Sequence, residues 1–399
     1  MLNDKQRDEL IDLAKELIDC QSYTGQEQEI SELVKQQMLD LGFDDAEIDD
    51  MGNVVGVIRG NLLGPRILFD GHLDTVEAEN LEDWNYYPFK AQVVDDRLVG
   101  RGSTDMKGAL AAMMYAASQV DRSSLKGEIY VSGTVHEEIA EGVAIRNVLT
   151  WVKPDLVVIG ESSQLDVCLG QRGRAELVLD VFGESAHSAR PEAGINAVLK
   201  MMPALKKLEE LAPPRDEVLG EGILVLTDIV SSPYPGSSVI PRVCRATFDR
   251  RLLPGETRED VLDRIRQELD SLAKEDPQFS YELSLAENNF TTWTDYEVSC
   301  DRFAPAWKYD PEEKWIQRTL DILREAGLSS GLGSYSFCTN GSGSAGEMGY
   351  RTLGFGPGME NRAHTANEYI LLDQLFQGCW GYWQLMENLG TDSKVFVDY

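Results

Sequence analysis

The sequence predicts an α/β protein whose sheet is covered by helices on both faces and into which a second, α+β unit is inserted. Short apolar, β-rich runs at 54–58, 67–69, 129–134 and 156–159 are separated by helical stretches, the pattern of a largely parallel, doubly covered sheet. Between about residues 174 and 288 the order changes to strand, helix, strand, strand, helix, strand, the split βαβ arrangement of a ferredoxin-like sandwich. From about 289 the chain returns to helix and glycine-rich loop, so this remainder completes the first unit. A chain of 399 residues exceeds the ~100–200 of a typical domain, and two packed units are expected, 1–173 with 289–399 and the inserted 174–288.

Leu10, Leu13, Ala14 and Leu17, then Ile30, Leu33, Val34 and Leu41, recur at helical spacing and predict two N-terminal helices. Thr24-x-x-Glu27 reads as a capping box for the second, and Gly42 as its stop. An Ala/Met-rich helix follows over 107–120. In the inserted unit the strands fall at 175–182, 223–230, 239–253 and 279–285 and the helices at 195–211 and 258–274. Pro191 and Thr257 mark the helix starts, and Pro233-Tyr234-Pro235-Gly236 the central turn.

Basic residues number 37 against 68 acidic, a net charge of −31, which repels phosphate backbones and anionic lipid surfaces. Nucleic-acid and membrane binding are therefore disfavoured. No stretch reaches the ~18 apolar residues of a membrane span, and Met1-Leu2-Asn3-Asp4-Lys5 opens into a charged amphipathic pattern and not a secretory signal, so a cytoplasmic location is expected. Six scattered cysteines without a C-x-x-C pair read as reduced and structural.

The chain has only four histidines, and two sit in acidic, strand-end segments, Gly71-His72-Leu73-Asp74 and Arg362-Ala363-His364-Thr365-Ala366-Asn367-Glu368. Between them lie Ser103-Thr104-Asp105-Met106-Lys107-Gly108, His136-Glu137-Glu138 and Gly160-Glu161-Ser162. Imidazoles and carboxylates in this number are what a pair of divalent ions needs, so metal-assisted hydrolysis is the first hypothesis. In open α/β sheets ligands gather beyond the C-terminal strand ends, and His72, Glu137 and Glu161 each follow a predicted strand.

Taken singly, each residue has a plainer reading. His72 and Asp74, two apart on an extended segment, project to one side so that the carboxylate can hold the imidazole's second nitrogen, yet a lone strand-end histidine is more often a hydrogen-bonded surface group. Asp105 can bridge two cations or cap a helix. Glu137 and Glu138 point in different directions, so one can bind metal while the other takes a proton from water; a solvated acidic turn is the alternative. His136 should face away and pack. Gly341-Ser342-Gly343-Ser344-Ala345-Gly346 matches G-x-G-x-x-G without a preceding apolar strand, so a turn offering N–H groups to an anionic substrate fits better than a dinucleotide site.

In their order these loops, from Ser22-Tyr23-Thr24-Gly25-Gln26-Glu27 to Ala363-His364-Thr365-Ala366-Asn367-Glu368, resemble the M20 metallopeptidase family, which includes acetylornithine deacetylase, succinyl-diaminopimelate desuccinylase, carboxypeptidases and aminoacylases. The resemblance implies a phosphorylase/hydrolase-like mixed sheet flanked by helices, with an inserted ferredoxin-like lid and dimerisation domain. It implies two divalent metal ions, usually zinc with cobalt or manganese as substitutes: His72, Asp105 and Glu161 on one, Asp105, Glu138 and His364 on the other. Glu137 becomes the general base, Asp74 the orienter of His72, and Asp105–Met106 the site of a cis peptide. His187 matches a histidine that reaches a partner's site in a homodimer formed through the lid, and Arg250 and Gly341 match groups that grip a substrate carboxylate. Where relatives often have Asn-Val-Ile-Pro this chain has Ser238-Val239-Ile240-Pro241, which puts the asparagine's carbonyl-polarising role in question. The expected activity is hydrolysis of the amide of an N-acyl amino acid or small peptide-like substrate bearing a carboxylate. The alternatives are a metal-dependent exopeptidase or dipeptidase and, from another class, a non-catalytic metal-stabilised binding protein.

Overall fold

The computed structural model describes residues 1–390. The chain divides into two compact units, one of Met1–Gln171, Phe290–Val298 and 308–390, the other of Arg172–Asn289 and Ser299–Trp307. The segment Ser299–Trp307 thus departs from the expectation that everything after 289 belongs to the first unit. Its cause is a strand: Phe303–Ala304 pairs antiparallel with Gly173–Phe182, and Phe303 is buried in the second unit's core.

The first unit's sheet is mixed. Its order runs Asp45–Ile48, Val54–Arg59, Lys126–Thr134, Leu62–His72, Leu156–Ile159, Thr352–Gly354, Val167–Gln171. Pairing is parallel among the strands flanking Leu62–His72 and on to Thr352–Gly354. It is antiparallel where Val54–Arg59 meets Asp45–Ile48 and Lys126–Thr134. The largely parallel reading therefore holds at the centre, and again where Leu332–Tyr335 pairs parallel with Val167–Gln171. At the edge, the Asp49 carboxylate accepts from the Met51 and Asn53 N–H groups and tightens a turn that reverses the chain without a crossover helix.

The central strands read as unbroken apolar runs because both faces are covered, and successive side chains enter different cores. Ile67, Phe69, Leu156 and Val158 pack with the helices Asp4–Asp19, Lys107–Ser118 and Leu372–Leu389, whereas Leu68, Val157 and Ile159 pack with Ile145–Val152. The helix Lys107–Ser118 is buried from Lys107 to Ala117, which explains why it is apolar all round. Gly71 and Gly160 let it approach: a Cβ on Gly71 would stand 2.9 Å from Met106 Cε, and one on Gly160 2.8 Å from Met113 Cε. The first helix begins as a capping box of Asn3 with Gln6.

In the second unit Ile223–Ser232, Val243–Leu252, Gly173–Phe182 and Ser280–Leu285 lie in that order, all antiparallel. The helices Ala197–Glu209 and Arg258–Glu275 bury Met201, Ala204, Ile265 and Leu269 against Leu177, Leu179, Ala246 and Phe248 in one core. This is the ferredoxin-like order. Thr257 starts the second helix with Asp260, but Pro191 opens only the short turn Pro191–Ala193, and Asn196 caps the first helix. The outer strand Ile223–Ser232 exposes Val225, Leu226, Ile229 and Val230. Among the described residues no helix is long and apolar enough to cross a membrane, and all six cysteines are free thiols.

Phe69 is fully buried, its ring edge-on to Tyr382 at 6.0 Å. Phe69→Ala is expected to cost about 3–5 kcal/mol, read as a lower urea midpoint for the first unit at unchanged slope. A loss below about 1 kcal/mol would mean that the surrounding helices close over the gap.

Candidate metal centre

Three strands end side by side on one rim, and each delivers a side chain capable of holding metal or moving a proton. Leu62–His72 ends in His72, Lys126–Thr134 runs into the turn Glu137–Ile139 with Glu137 and Glu138, and Leu156–Ile159 is followed by Glu161. Two loops supply the rest. Asp105 stands before the helix Lys107–Ser118 through a cis Asp105–Met106 peptide, and His364, with φ 59°, follows the turn Glu360–Arg362.

These side chains form two groups that share Asp105, one of His72, Asp105 and Glu161 and one of Asp105, Glu138 and His364, with the ligand atoms of each within 4.8 Å of one another. His72 Nε2 lies 2.9 Å from Asp105 Oδ1 and 3.5 Å from Glu161 Oε1. His364 Nε2 lies 3.1 Å from Asp105 Oδ2 and 3.0 Å from Glu138 Oε2. Asp105 thus turns one oxygen to each group. Ligand atoms bound at ~2.0–2.1 Å around a tetrahedral ion sit ~3.3 Å apart, so this spacing and the N/O donor set fit two divalent ions bridged by Asp105.

The electrostatics point the same way. Burial pushes Glu161 up to about 8, with the Asp105 charge adding to it. Burial, and then Asp105, likewise raises Glu138. Glu137 rises well above the carboxylate range, chiefly by burial and then through neighbouring Glu161, against the pull of His72. The hydrogen bonds to Asp105 and then Glu138 carry His364 up to about 10. Burial opposes charge on His72, but its contacts with Asp105 and Asp74 outweigh it and raise its pKa. Carboxylates crowded in low dielectric hold protons unless cations replace them. Glu137 is buried, and its Oε1 has no hydrogen-bond partner.

Asp74 meets His72 through two atoms. His72 Nδ1 is paired with the Asp74 backbone oxygen at 2.8 Å, and the carboxylate Oδ1 lies 3.6 Å from the same nitrogen. The carboxylate also accepts from the Glu137 N–H, the Glu138 N–H and the Thr24 hydroxyl.

Several supporting residues carried no signal of their own in the sequence. Glu368, fully buried, accepts from the Thr104 and Asp105 N–H groups at 2.9 and 3.1 Å and from Arg101 Nη1 at 2.7 Å. Arg101 lies over the Trp84 ring. Asn340 donates to Asp70 and Thr134 beneath His72 and accepts from the Gly142 N–H beyond Glu137. Gly142 and Gly343 pack backbone to backbone, a Cβ on Gly343 falling 2.2 Å from the Gly142 oxygen. Glu368 closes the segment 362–368 that carries His364, and its contacts reveal what it holds.

The expected substrate groups have partners within the chain. Gly341 N–H donates to Thr339 Oγ1, and the N–H groups of Ser342, Gly343 and Ser344 bond to Thr339 and Asn340 oxygens, so the glycine-rich turn is closed on itself. Arg250 is buried on the helix side of the second unit's sheet, its Nη2 2.5 Å from Glu256 Oε1 and its Nη1 on the Ile223 and Arg251 carbonyls. A substrate carboxylate would have to displace these partners. His187 is exposed on a loop paired with Val239, its Nδ1 accepting from the Ala189 N–H, and Ser238 lies on the paired segment with its carbonyl accepting from Ser188.

The family model for peptidase family M20/M25/M40 matches residues 68–388. Uncharacterized protein YgeY of Escherichia coli (strain K12) is 33% identical over 362 residues, covering 89% of this chain and 88% of that protein. Acetylornithine deacetylase of Buchnera aphidicola subsp. Schizaphis graminum is 29% identical over 310 residues, covering 76% of this chain and 75% of that enzyme. Among solved structures, the Bacillus subtilis YXEP protein, a dinuclear metal binding peptidase from the M20 family, superposes with a TM-score of 0.73 at 12% identity, over 96% of this chain and 98% of that one.

Removing one member of a buried ion pair strands the other. Glu368→Ala is therefore expected to cost about 3–5 kcal/mol, measured by urea unfolding. A stability unchanged within about 0.5 kcal/mol would show that Arg101 finds another acceptor.

Proposed function

Because the chain belongs to peptidase family M20/M25/M40 and is an amide-bond hydrolase of that family, we propose that it removes the acyl group from an N-acyl amino acid, or cleaves a similarly small peptide-like substrate bearing a carboxylate, with two divalent ions. The observation that carries this reading is the shared carboxylate of Asp105, one oxygen in each of two three-residue groups.

His72, Asp105 and Glu161 would hold one ion and Asp105, Glu138 and His364 the other. Zinc is the first expectation, with cobalt or manganese as substitutes, and the pair when bound supplies the positive charge that polarises the amide carbonyl and acidifies water. Glu137, buried with an oxygen free of partners, takes the proton of the attacking water as the new C–O bond forms, and delivers it to the leaving nitrogen as the C–N bond breaks. The products are a carboxylate and an amine. His187 accepts at Nδ1 from the Ala189 N–H, which leaves the proton on Nε2 and makes the exposed tip a donor for the developing oxyanion. Its delivery from a second copy, in a homodimer through the second unit, is supported by the apolar edge strand with Val225, Leu226, Ile229 and Val230 exposed. Arg250 would meet a substrate carboxylate by exchanging Glu256 for it, and Gly341 by giving up Thr339.

A metal-dependent exopeptidase or dipeptidase is the second reading, favoured by the likeness to a dinuclear metal binding peptidase. A panel of acetyl and succinyl amino acids and dipeptides separates the two by kcat/KM.

Glu137→Gln is expected to lower kcat by ~10²–10⁴-fold while the metal-to-protein ratio stays at that of the wild type. Near-normal turnover would remove Glu137 as the base, and absence of turnover in the wild type across the panel would favour a metal-stabilised binding protein. Dialysis against a chelator should abolish activity, with zinc, cobalt or manganese restoring it. His364→Ala should lower the bound metal by about one ion, because the other group keeps all its ligands.

A further inference from the structure

Beyond Thr134, where the strand Lys126–Thr134 ends, the next backbone N–H groups in succession are each caught by a side chain. The Val135 N–H donates to Asn53 Oδ1 at 3.0 Å, His136 to Glu27 Oε1 at 3.1 Å, Glu137 to Asp74 Oδ1 at 3.1 Å and Glu138 to Asp74 Oδ2 at 3.2 Å. His136 takes φ 56°, the left-handed region that a β-carbon disfavours, so the turn that aims Glu137 needs an outside hold.

Glu27 is the carboxylate of this set with no role in the proposed chemistry. It is fully buried; Oε1 also accepts from the Gly25 N–H at 2.9 Å, and Oε2 has no partner. The His136 ring stands with Nε2 4.0 Å from Glu27 Oε1 and stacks on Phe290 at 4.3 Å, with neither ring nitrogen hydrogen-bonded. A buried carboxylate with one oxygen idle is costly to keep for packing alone. Thr24-x-x-Glu27 has the spacing of a capping box, yet the helix Gln28–Asp40 has no side-chain cap. Thr24 is drawn to Asp74 and Glu27 to His136, so both ends of the motif serve the loop of Glu137.

We propose that Glu27 is a positioning residue for the general base, its Oε1 fixing the His136 peptide and thereby the direction in which Glu137 leaves the strand. The proposal rests on Glu137 being the base. Misplacing a catalytic group by about 1 Å can cost ~10²-fold in rate, whereas the ion ligands, anchored by Asp74 and Glu368, should stay in place.

The experiment compares Glu27→Ala, Glu27→Asp and Glu27→Gln with Glu137→Gln in the metal-loaded enzyme. It follows kcat, KM, metal stoichiometry and the visible spectrum of the cobalt-substituted protein. Glutamine keeps an acceptor at the same reach, and aspartate, one methylene shorter, does not reach the His136 N–H. The expected result is a fall in kcat of ~10²-fold for Ala and Asp, with KM, metal content and cobalt spectrum unchanged and Gln close to wild type. The proposal is overturned if Glu27→Ala keeps wild-type kcat, if its loss of rate follows a loss of metal, or if Gln is as impaired as Asp. That last comparison decides the matter should the alanine variant not fold. Normal turnover in Glu137→Gln would instead bring down the assignment of the base.

Discussion

One carboxylate divided between two imidazoles sets the terms for the rest of this molecule. Asp105 places Oδ1 beside His72 and Oδ2 beside His364, and each oxygen draws a further glutamate into its group. So many like charges gathered at a buried rim repel, which is tolerable only where cations offset them. The surrounding architecture is arranged to hold that carboxylate in place. Gly71 and Gly160 let the helix behind Asp105 approach the sheet, and Glu368 secures the peptide N–H groups of Thr104 and Asp105 from the loop that also carries His364.

Much of this was legible in the sequence where chemistry coincides with a strand end. Leu156–Ile159 is an unbroken apolar run because Leu156 and Val158 enter one core and Val157 and Ile159 the other, and the glutamate just beyond it must lie on the rim. The same reasoning places His72 and Glu137. Asp105 and His364 lie on loops whose path periodicity does not reveal; residue type made them candidates, and the resemblance of the ordered motifs assigned each to its ion. The strand and helix order of the second unit likewise predicted its ferredoxin-like sandwich, but not the late strand Phe303–Ala304, too short to leave a pattern.

What stayed hidden are the choices between atoms and between partners. Spacing brings Asp74 near His72, but the bend of the chain decides that the carbonyl lies closer to the ring than the carboxylate does. Thr24 and Glu27 satisfy every local requirement of a cap and are claimed by residues 50 and 109 positions away. Arg250 has the composition of an anion clamp, but its strand position turns it inward, where Glu256 and backbone carbonyls occupy its donors. Local propensity competes with tertiary partners, and near the candidate metal centre the tertiary partners win.

The chain passes between its two units more than once, since Phe290–Val298 belongs to the first although the residues on either side of it belong to the second. Within the first unit this segment stacks Phe290 on His136, seats the Trp293 ring where any β-carbon on Gly52 would collide, and ties Thr294 to the Asp50 carbonyl. The inserted unit is consequently not a detachable cassette. Excising 172–307 as one block would strip the first unit of its own packing beside the proposed base, and a piece ending at 289 would lack the strand Phe303–Ala304. The chain crosses between the units at four junctions instead of two, so a minimal first unit needs two new joins and a minimal second unit one.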